Sequence, residues 1–286
     1  MCIKSKKSNA RTKSYELVQD SIEVLDLFRR LHYTSEQDLP KYQSETLDLT
    51  EFYAKAYIDF FKRDLELFLK IETDKNLNPL EKTSINTYLN RKIFDTVGKL
   101  LYVSQLDLLD RGVFILAQLL DDIYFYSGNN QDSETYKKLD NNYRSMAKNL
   151  LTTKKIKFPE SVGLSKKYLQ KHKLIFPPTE QILQKYLPVY VRDHPNLSLT
   201  SDQLYKDYAM LSDAIHSGLT ANFSTEHLSN YKDIAGISVR VRMMLEILNS
   251  YYFDKTMDNE VNKWLENFLA IKDGFLKEYL KIIHRD

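Results

Sequence analysis

The chain has 286 residues, of which 43% are hydrophobic and 28% are charged, a composition typical of a globular protein. Its 41 Lys and Arg residues nearly balance 39 Asp and Glu residues, so the net charge of +2 gives no global electrostatic case for nucleic-acid binding. The single cysteine, Cys2, excludes an internal disulfide and a cysteine-based metal cluster, and it fits a reducing compartment.

The N-terminal residues and the hydropathy of the chain bear on its location. No apolar run approaches the roughly 20 residues of a membrane span. Residues 1–13 are basic and contain no acidic residue, but they lack the apolar stretch of a signal peptide. We therefore predict a cytoplasmic protein without a membrane partner. Residues 1–13 are expected to form a flexible, solvated basic tail, with an arm that contacts RNA as the alternative.

The first half of the chain is predicted to be helical. Apolar residues recur there at three- and four-residue steps. A capping residue followed three positions later by Glu marks a helix start at Asp48 and again at Asn78, where Pro79 also suits the first helical position. Asp107 permits a further start. We predict helices over 14–31, 48–71, 79–103, 108–126 and 132–151.

A lysine-rich segment follows, over residues 151–175. It contains a single acidic residue, Glu160, and is interrupted by Pro159 and Gly163. A solvated loop is the simpler interpretation, and contact with a polyanion such as RNA is the alternative. The candidate binding residues are Lys154, Lys155, Lys157, Lys166 and Lys167, with Lys171 and Lys173 nearby.

The remaining segments complete an all-α fold. Helices are predicted over 177–187, 200–219, 234–252 and 258–283, with a single turn over 225–231. Only seven Gly and seven Pro occur, which disfavours a turn-rich β-sandwich. We predict one all-helical domain over 14–286, a bundle of about seven to nine helices with its core over about 50–250.

The segment 200–219 combines an apolar face with a polar stripe. Thr200 and Gln203 have the spacing of a capping box. Tyr208, Ser212 and His216 follow at intervals of four, and each step advances about 40° around an α-helix. The three side chains therefore border the apolar face as one slanting stripe. Such a stripe is either a buried hydrogen-bond network or a functional site.

A second polar stripe is predicted on the helix over 79–103. Arg91, Asp95 and Tyr102 share one side of this helix, and Gly98 between them would let another chain segment come close. A four-residue Arg–Asp spacing is also common in exposed ion pairs, which contribute only a few tenths of a kcal/mol, on the order of 0.3. The stripe is thus either part of a site or an ordinary surface pair.

Taken together, the two stripes resemble a bacterial family of all-helical proteins of unknown function related to the HEPN-like superfamily. The shared pattern is R-K-I-F-D before L-L-Y-V, then Y-x-x-L-S-x-x-x-H later in the chain. The matching positions are Arg91, Asp95, Tyr208, Leu211, Ser212 and His216. The resemblance covers roughly residues 50–250 and implies a HEPN-like core with extra N-terminal helices. The family more often has Glu where Asp95 stands.

The resemblance implies metal-independent RNA chemistry without a cofactor. HEPN-like relatives that cleave RNA use an Arg and a His with four to six residues between them at the start of one helix, a spacing that this sequence lacks. A nuclease site would need Arg91 and His216 to converge from different helices. His216 would then act as general acid and base, and Arg91 would bind phosphate. Asp95 and Ser212 complete the candidate catalytic set, and Tyr102 and Tyr208 are candidate binding residues.

Two functions are therefore open. The first is a HEPN-like effector of a bacterial defence or toxin system that cleaves or binds RNA or a nucleotide. The second is a non-catalytic helical module that forms a homodimer or binds a partner. In the second case Arg91, Asp95 and His216 form a structural polar network.

Overall fold

The computed structural model describes residues 16, 18–30, 41–127, 133–156, 166–193, 200–217 and 229–248. Within these ranges the regular elements are helices, and no strand occurs. The helices are α1 over 18–30, α2 Lys41–Thr73, α3 Pro79–Ser104, α4 Leu108–Ser127, α5 Glu134–Thr153, α6 Lys166–Lys171, α7 Thr179–Asp193, α8 Ser201–Ser217 and α9 Ser229–Ile247. The prediction of an all-α bundle of seven to nine helices is confirmed.

The starts of α3 and α4 are fixed by local capping, as the sequence predicts. Asn78 and Glu81 form a reciprocal capping box at the start of α3, with Pro79 as its first residue. Asp107 caps α4 by accepting a hydrogen bond of 2.8 Å from the backbone N–H of Asp110. The Arg111 guanidinium satisfies carbonyls at the end of α3, including that of Ser104 at 2.9 Å.

Three helix limits differ from the prediction. α2 begins at Lys41, so Asp48 and Glu51 lie inside the helix, where Glu51 pairs with Lys55 one turn later instead of capping. The earlier turns persist because Thr46 is fully buried. Tertiary burial therefore overrides the local start signal.

The second difference is at the C-terminal end of α7, which was predicted to stop near Leu187. It continues through Pro188 to Asp193, although Pro lacks a backbone N–H. Leu187 and Tyr190 are both almost fully buried, and this burial holds the extra turn in place. In addition, α9 begins at Ser229, within the segment predicted as a single turn. The predicted helix over 258–283 and the tail over 1–13 lie outside the described residues.

α3 is the central helix of the described bundle. It packs against α2, α7, α8 and α9, whereas α4 packs mainly against α2 and α5. Ile93, Phe94 and Val97 on α3 are fully buried. Lys92 on α3 also reaches the buried Asp64 on α2 at 2.6 Å. No helix in the described ranges has the length and hydrophobicity needed to cross a membrane.

Candidate functional site

The predicted polar stripes of α3 and α8 meet at Arg91. Its guanidinium pairs with Asp95 one turn later on α3 and donates a hydrogen bond to the Tyr208 hydroxyl on α8. The guanidinium carbon also lies 3.9 Å from the centre of the Tyr208 ring, a cation–π contact. We call Arg91, Asp95 and Tyr208 the Arg91 cluster. The Arg91 side chain is 16% exposed and that of Asp95 33%.

The surroundings of Tyr208 keep its hydroxyl neutral. Phe94 packs edge-on against its ring, with 5.5 Å between the ring centres. Burial raises the pKa of Tyr208 above its ordinary value of 10.0, Arg91 opposes this shift, and Asp95 adds to it. Tyr208 is therefore protonated near neutral pH, and its hydroxyl can both accept from Arg91 and donate to another group.

A second arginine, Arg240 on α9, lies over the ring of Phe94. Its guanidinium carbon is 4.7 Å from the Phe94 ring centre, and it donates a hydrogen bond of 2.7 Å to Asn90. It also lies 3.8 Å from Asp207, the neighbour of Tyr208. Arg240 and Asn90 are both almost fully buried. Sequence reasoning missed Arg240; the available signal was an arginine inside the apolar run V-R-V-R-M-M.

Gly98 and Tyr102 continue the α3 stripe towards α7. A Cβ atom at Gly98 would lie 3.1 Å from the Thr179 methyl group, so α7 approaches α3 closely at this point. Tyr102 joins a different group of side chains: its ring packs against Phe114 and Phe176 and is almost fully buried. In the structure Tyr102 is thus part of an aromatic cluster in the core.

The other two members of the predicted α8 stripe are Ser212 and His216, and the structure describes the side chain of Ser212 only. Ser212 is half-buried on α8, one turn beyond Tyr208. The backbone of His216 belongs to α8, about 12 Å along the helix axis from Tyr208, but its side chain lies outside the described residues. The convergence of Arg91 with His216 therefore stays a prediction.

The candidate lysines whose side chains the structure describes divide into two groups. Lys154 forms ion pairs with Asp110 at 2.6 Å and Asp107 at 3.7 Å, so it ties the end of α5 to the start of α4. Lys155 and Lys167 are exposed. Lys166 begins α6, and its side chain, like the whole of Lys157, lies outside the described residues.

The charge around Tyr208 does not favour an anion. Arg91 is already neutralised by Asp95, and Glu180 at the start of α7 adds a second carboxylate close to Tyr208. Glu180 in turn accepts a hydrogen bond of 2.7 Å from Tyr205. A phosphate would have to displace Asp95 from Arg91 and approach Glu180.

In the described part of the chain, no three His, Cys, Asp or Glu side chains are grouped in a way that could hold a metal ion. No family model, curated protein or solved structure matches this chain.

Proposed function

We propose that this chain is a non-catalytic helical interaction module, in which the Arg91 cluster joins α3 to α8. One observation carries the proposal: the Arg91 guanidinium is engaged by the Asp95 carboxylate, the Tyr208 hydroxyl and the face of the Tyr208 ring. An arginine that recognises phosphate presents its N–H groups to the ligand in a bidentate fork. Arg91 instead directs its guanidinium to Asp95 and Tyr208 within the fold.

The energetics support a structural role. A hydrogen bond to a charged group contributes about 1.5–3 kcal/mol when its partner is not fully solvated. A cation–π contact adds about 0.5–1 kcal/mol. Because Arg91 and Tyr208 come from helices far apart in the chain, these interactions fix a tertiary contact. The same residues in the predicted nuclease would need freedom to contact a substrate.

The experiment compares stability with activity. Arg91→Ala is expected to lower the free energy of unfolding by about 2 kcal/mol, since it removes both contacts with Tyr208. Arg192→Ala is the matched control, because Arg192 forms an exposed ion pair with the adjacent Asp193 and should change stability by less than about 0.5 kcal/mol. Urea denaturation gives both values.

The same preparations are assayed for RNA cleavage. The proposal expects that the wild-type chain does not cleave RNA and that no activity of the chain depends on His216. Cleavage that disappears in His216→Ala while the melting temperature is unchanged would establish the catalytic hypothesis instead. A wild-type chain that neither self-associates nor recovers a partner in pull-down would count against an interaction module.

RNA or nucleotide binding by a HEPN-like effector is the second candidate function. It is supported by the exposed side chains of Lys155, Lys167 and Lys171. Changing Lys167 and Lys171 to Gln should lower the slope of log RNA affinity against log salt concentration. The decrease should correspond to the loss of about two phosphate contacts. Lys138→Gln is the control, since Lys138 is exposed but already paired with Glu134 on α5. Equal salt dependence in all three proteins would dismiss this candidate.

A further inference from the structure

The outer face of α2 carries a row of exposed large hydrophobic side chains. Phe52, Phe60 and Leu67 are 49%, 47% and 42% exposed. At 100° per residue the three lie within about 80° of one another around the helix. The opposite face of α2 is buried in the core, for example at Phe61 and Leu65. We call Phe52, Phe60 and Leu67 the α2 stripe.

The spacing of the α2 stripe is self-complementary. A two-fold axis that crosses α2 between Asp59 and Phe60 brings a second α2 alongside in the antiparallel direction. Phe52 and Leu67 lie equally far from this axis, about 11 Å in opposite directions along the helix. Phe52 of one copy therefore faces Leu67 of the other, and the two Phe60 rings meet beside the axis. Each apolar side chain gains an apolar partner, as an isologous interface requires.

Charged residues on the same side of α2 are also placed to pair with opposite charges across this axis. Asp59 and Arg63 lie one helical turn apart, and the Arg63 guanidinium carbon is 5.3 Å from the centre of the Phe60 ring. In the antiparallel arrangement, Arg63 of one copy comes within one turn of Asp59 of the other. Two symmetric opposite-charge pairs then flank the central phenylalanines. The Arg29–Asp59 pair, at 3.0 Å, is solvent-exposed and leaves this carboxylate accessible.

We propose that α2 is the self-association surface of this chain and that its partner is a second copy, paired antiparallel along the α2 stripe. This inference rests on the proposed function as an interaction module and names its partner. A stable interface buries about 800 Å² per partner, of which three half-exposed side chains supply only part. The dimer is therefore weak, with a dissociation constant on the order of tens of micromolar.

Sedimentation equilibrium of the full chain over a range of concentrations tests the surface. Phe60→Asp places two carboxylates at the axis and is expected to weaken the dimer at least about tenfold. Met210→Asp is the matched control, because Met210 is 56% exposed but lies on α8, and its dimerisation should equal that of the wild type. Both sites are exposed, so unchanged circular dichroism and melting confirm that the fold is retained.

A charge exchange tests the orientation. Arg63→Asp alone and Asp59→Arg alone each set like charges across the axis and should be monomeric. Mixed together, the two variants restore both opposite-charge pairs and should form a heterodimer of wild-type affinity. No rescue on mixing would exclude the antiparallel arrangement.

A wild-type chain that is monomeric up to about 200 µM, or a dimer unaffected by Phe60→Asp, would overturn the proposal. These failures are distinguishable from failure of the proposed function. A monomer that recovers a partner in pull-down, does not cleave RNA and is destabilised by Arg91→Ala keeps the proposed function and loses only the dimer.

Discussion

At the scale of single residues, the buried charged side chains of α9 depend most strongly on having a partner. Arg240, Arg242 and Glu246 are almost fully buried. Residues two apart on a helix differ in direction by about 200°, so Arg240 and Arg242 face nearly opposite sides of α9. Arg240 meets α3 and α8, whereas Arg242 donates a hydrogen bond of 2.8 Å to Glu246, which accepts another from Tyr190 on α7. Each buried charge therefore has a partner, which offsets the cost of leaving water.

We predict that the pair of Arg242 and Glu246 is costly to break. Glu246→Ala leaves the Arg242 charge buried without its carboxylate, so the free energy of unfolding should fall by about 3–5 kcal/mol. Tyr190→Phe removes the hydrogen bond to Glu246 and should cost about 1 kcal/mol. Urea denaturation measures both. Glu134→Ala, which breaks an exposed pair with Lys138, is the control. An equal loss in Glu246→Ala and Glu134→Ala would contradict the argument.

The sequence predicts part of the polar network and misses part for a physical reason. The spacing of Arg91 and Asp95 on α3, and the position of Tyr208 on a second amphipathic helix, already suggested that polar edges would meet. Arg240 and Asn90 gave no comparable pattern, because their partners are set by how α9 crosses α3. Helix periodicity determines which face a residue occupies, but it does not determine which helix covers that face.

At the scale of helices, two glycines allow close contacts, and their substitution should have different effects. At Gly112 on α4 an added Cβ atom would lie 2.7 Å from the Thr46 hydroxyl oxygen on α2. Alanine favours a helix over glycine by about 1 kcal/mol, but such overpacking costs about 1–3 kcal/mol. Gly112→Ala should therefore destabilise the chain by about 1 kcal/mol, as measured by thermal denaturation.

Two further variants control this prediction. Gly98→Ala should be close to neutral, because the nearest atom is the Thr179 methyl group at 3.1 Å, where a small shift relieves the contact. Combining Gly112→Ala with Thr46→Ala should recover part of this stability, since the Thr46 hydroxyl and methyl atoms at 2.7 and 2.8 Å are removed and only the Thr46 Cβ atom at 3.2 Å remains. Should Gly98→Ala prove the more harmful single change, the close contact of α2 with α4 would not be the limiting one.

The stability that Asp107 contributes at the start of α4 should depend measurably on pH. The pKa of Asp107 is lowered, mainly by the backbone N–H of Asp110 and further by Lys154. Its ionised form therefore stabilises the folded state above the ordinary pKa of 3.8, and this contribution is lost as the pH falls through the lowered folded value. Asp107→Asn keeps a good capping residue but removes the charge.

Wild type should therefore melt at a slightly higher temperature than Asp107→Asn at pH 7. This difference in melting temperature should disappear at acidic pH. Asp107 is largely exposed, which keeps the effect small through solvent screening. Asp107→Ala, which also removes the cap, should cost about 1 kcal/mol at neutral pH. A difference that stays constant with pH would show that the charge of Asp107 contributes nothing.

Helix limits were predictable where their cause is local. α3 and α4 begin at the predicted residues because Asn78 and Asp107 cap them through side chains a few positions away. The start of α2 and the end of α7 were not predictable in this way. They depend on the burial of Thr46 and Tyr190 against distant segments.

At the scale of the whole molecule, α3 joins two groups of helices. One group contains α2, α4 and α5, and the other contains α7, α8 and α9. Lys92 links α3 to the first group through Asp64, and Arg91 links it to the second through Tyr208. The adjacent positions of these two residues point to different sides of the helix, about 100° apart. Loss of α3 packing should therefore affect both groups together.

Native-state hydrogen exchange tests this arrangement. The amides of residues 93–103 in α3 should be among the slowest to exchange, because they open only with the whole fold. Leu101 on α3 is fully buried, and Leu101→Ala should cost about 2–5 kcal/mol. If the bundle is one cooperative unit, this variant speeds exchange of the slowest amides in α2 and α9 by the same factor. Faster exchange in α2 with α9 unchanged would mean that the two groups unfold independently and that α3 belongs to the first alone.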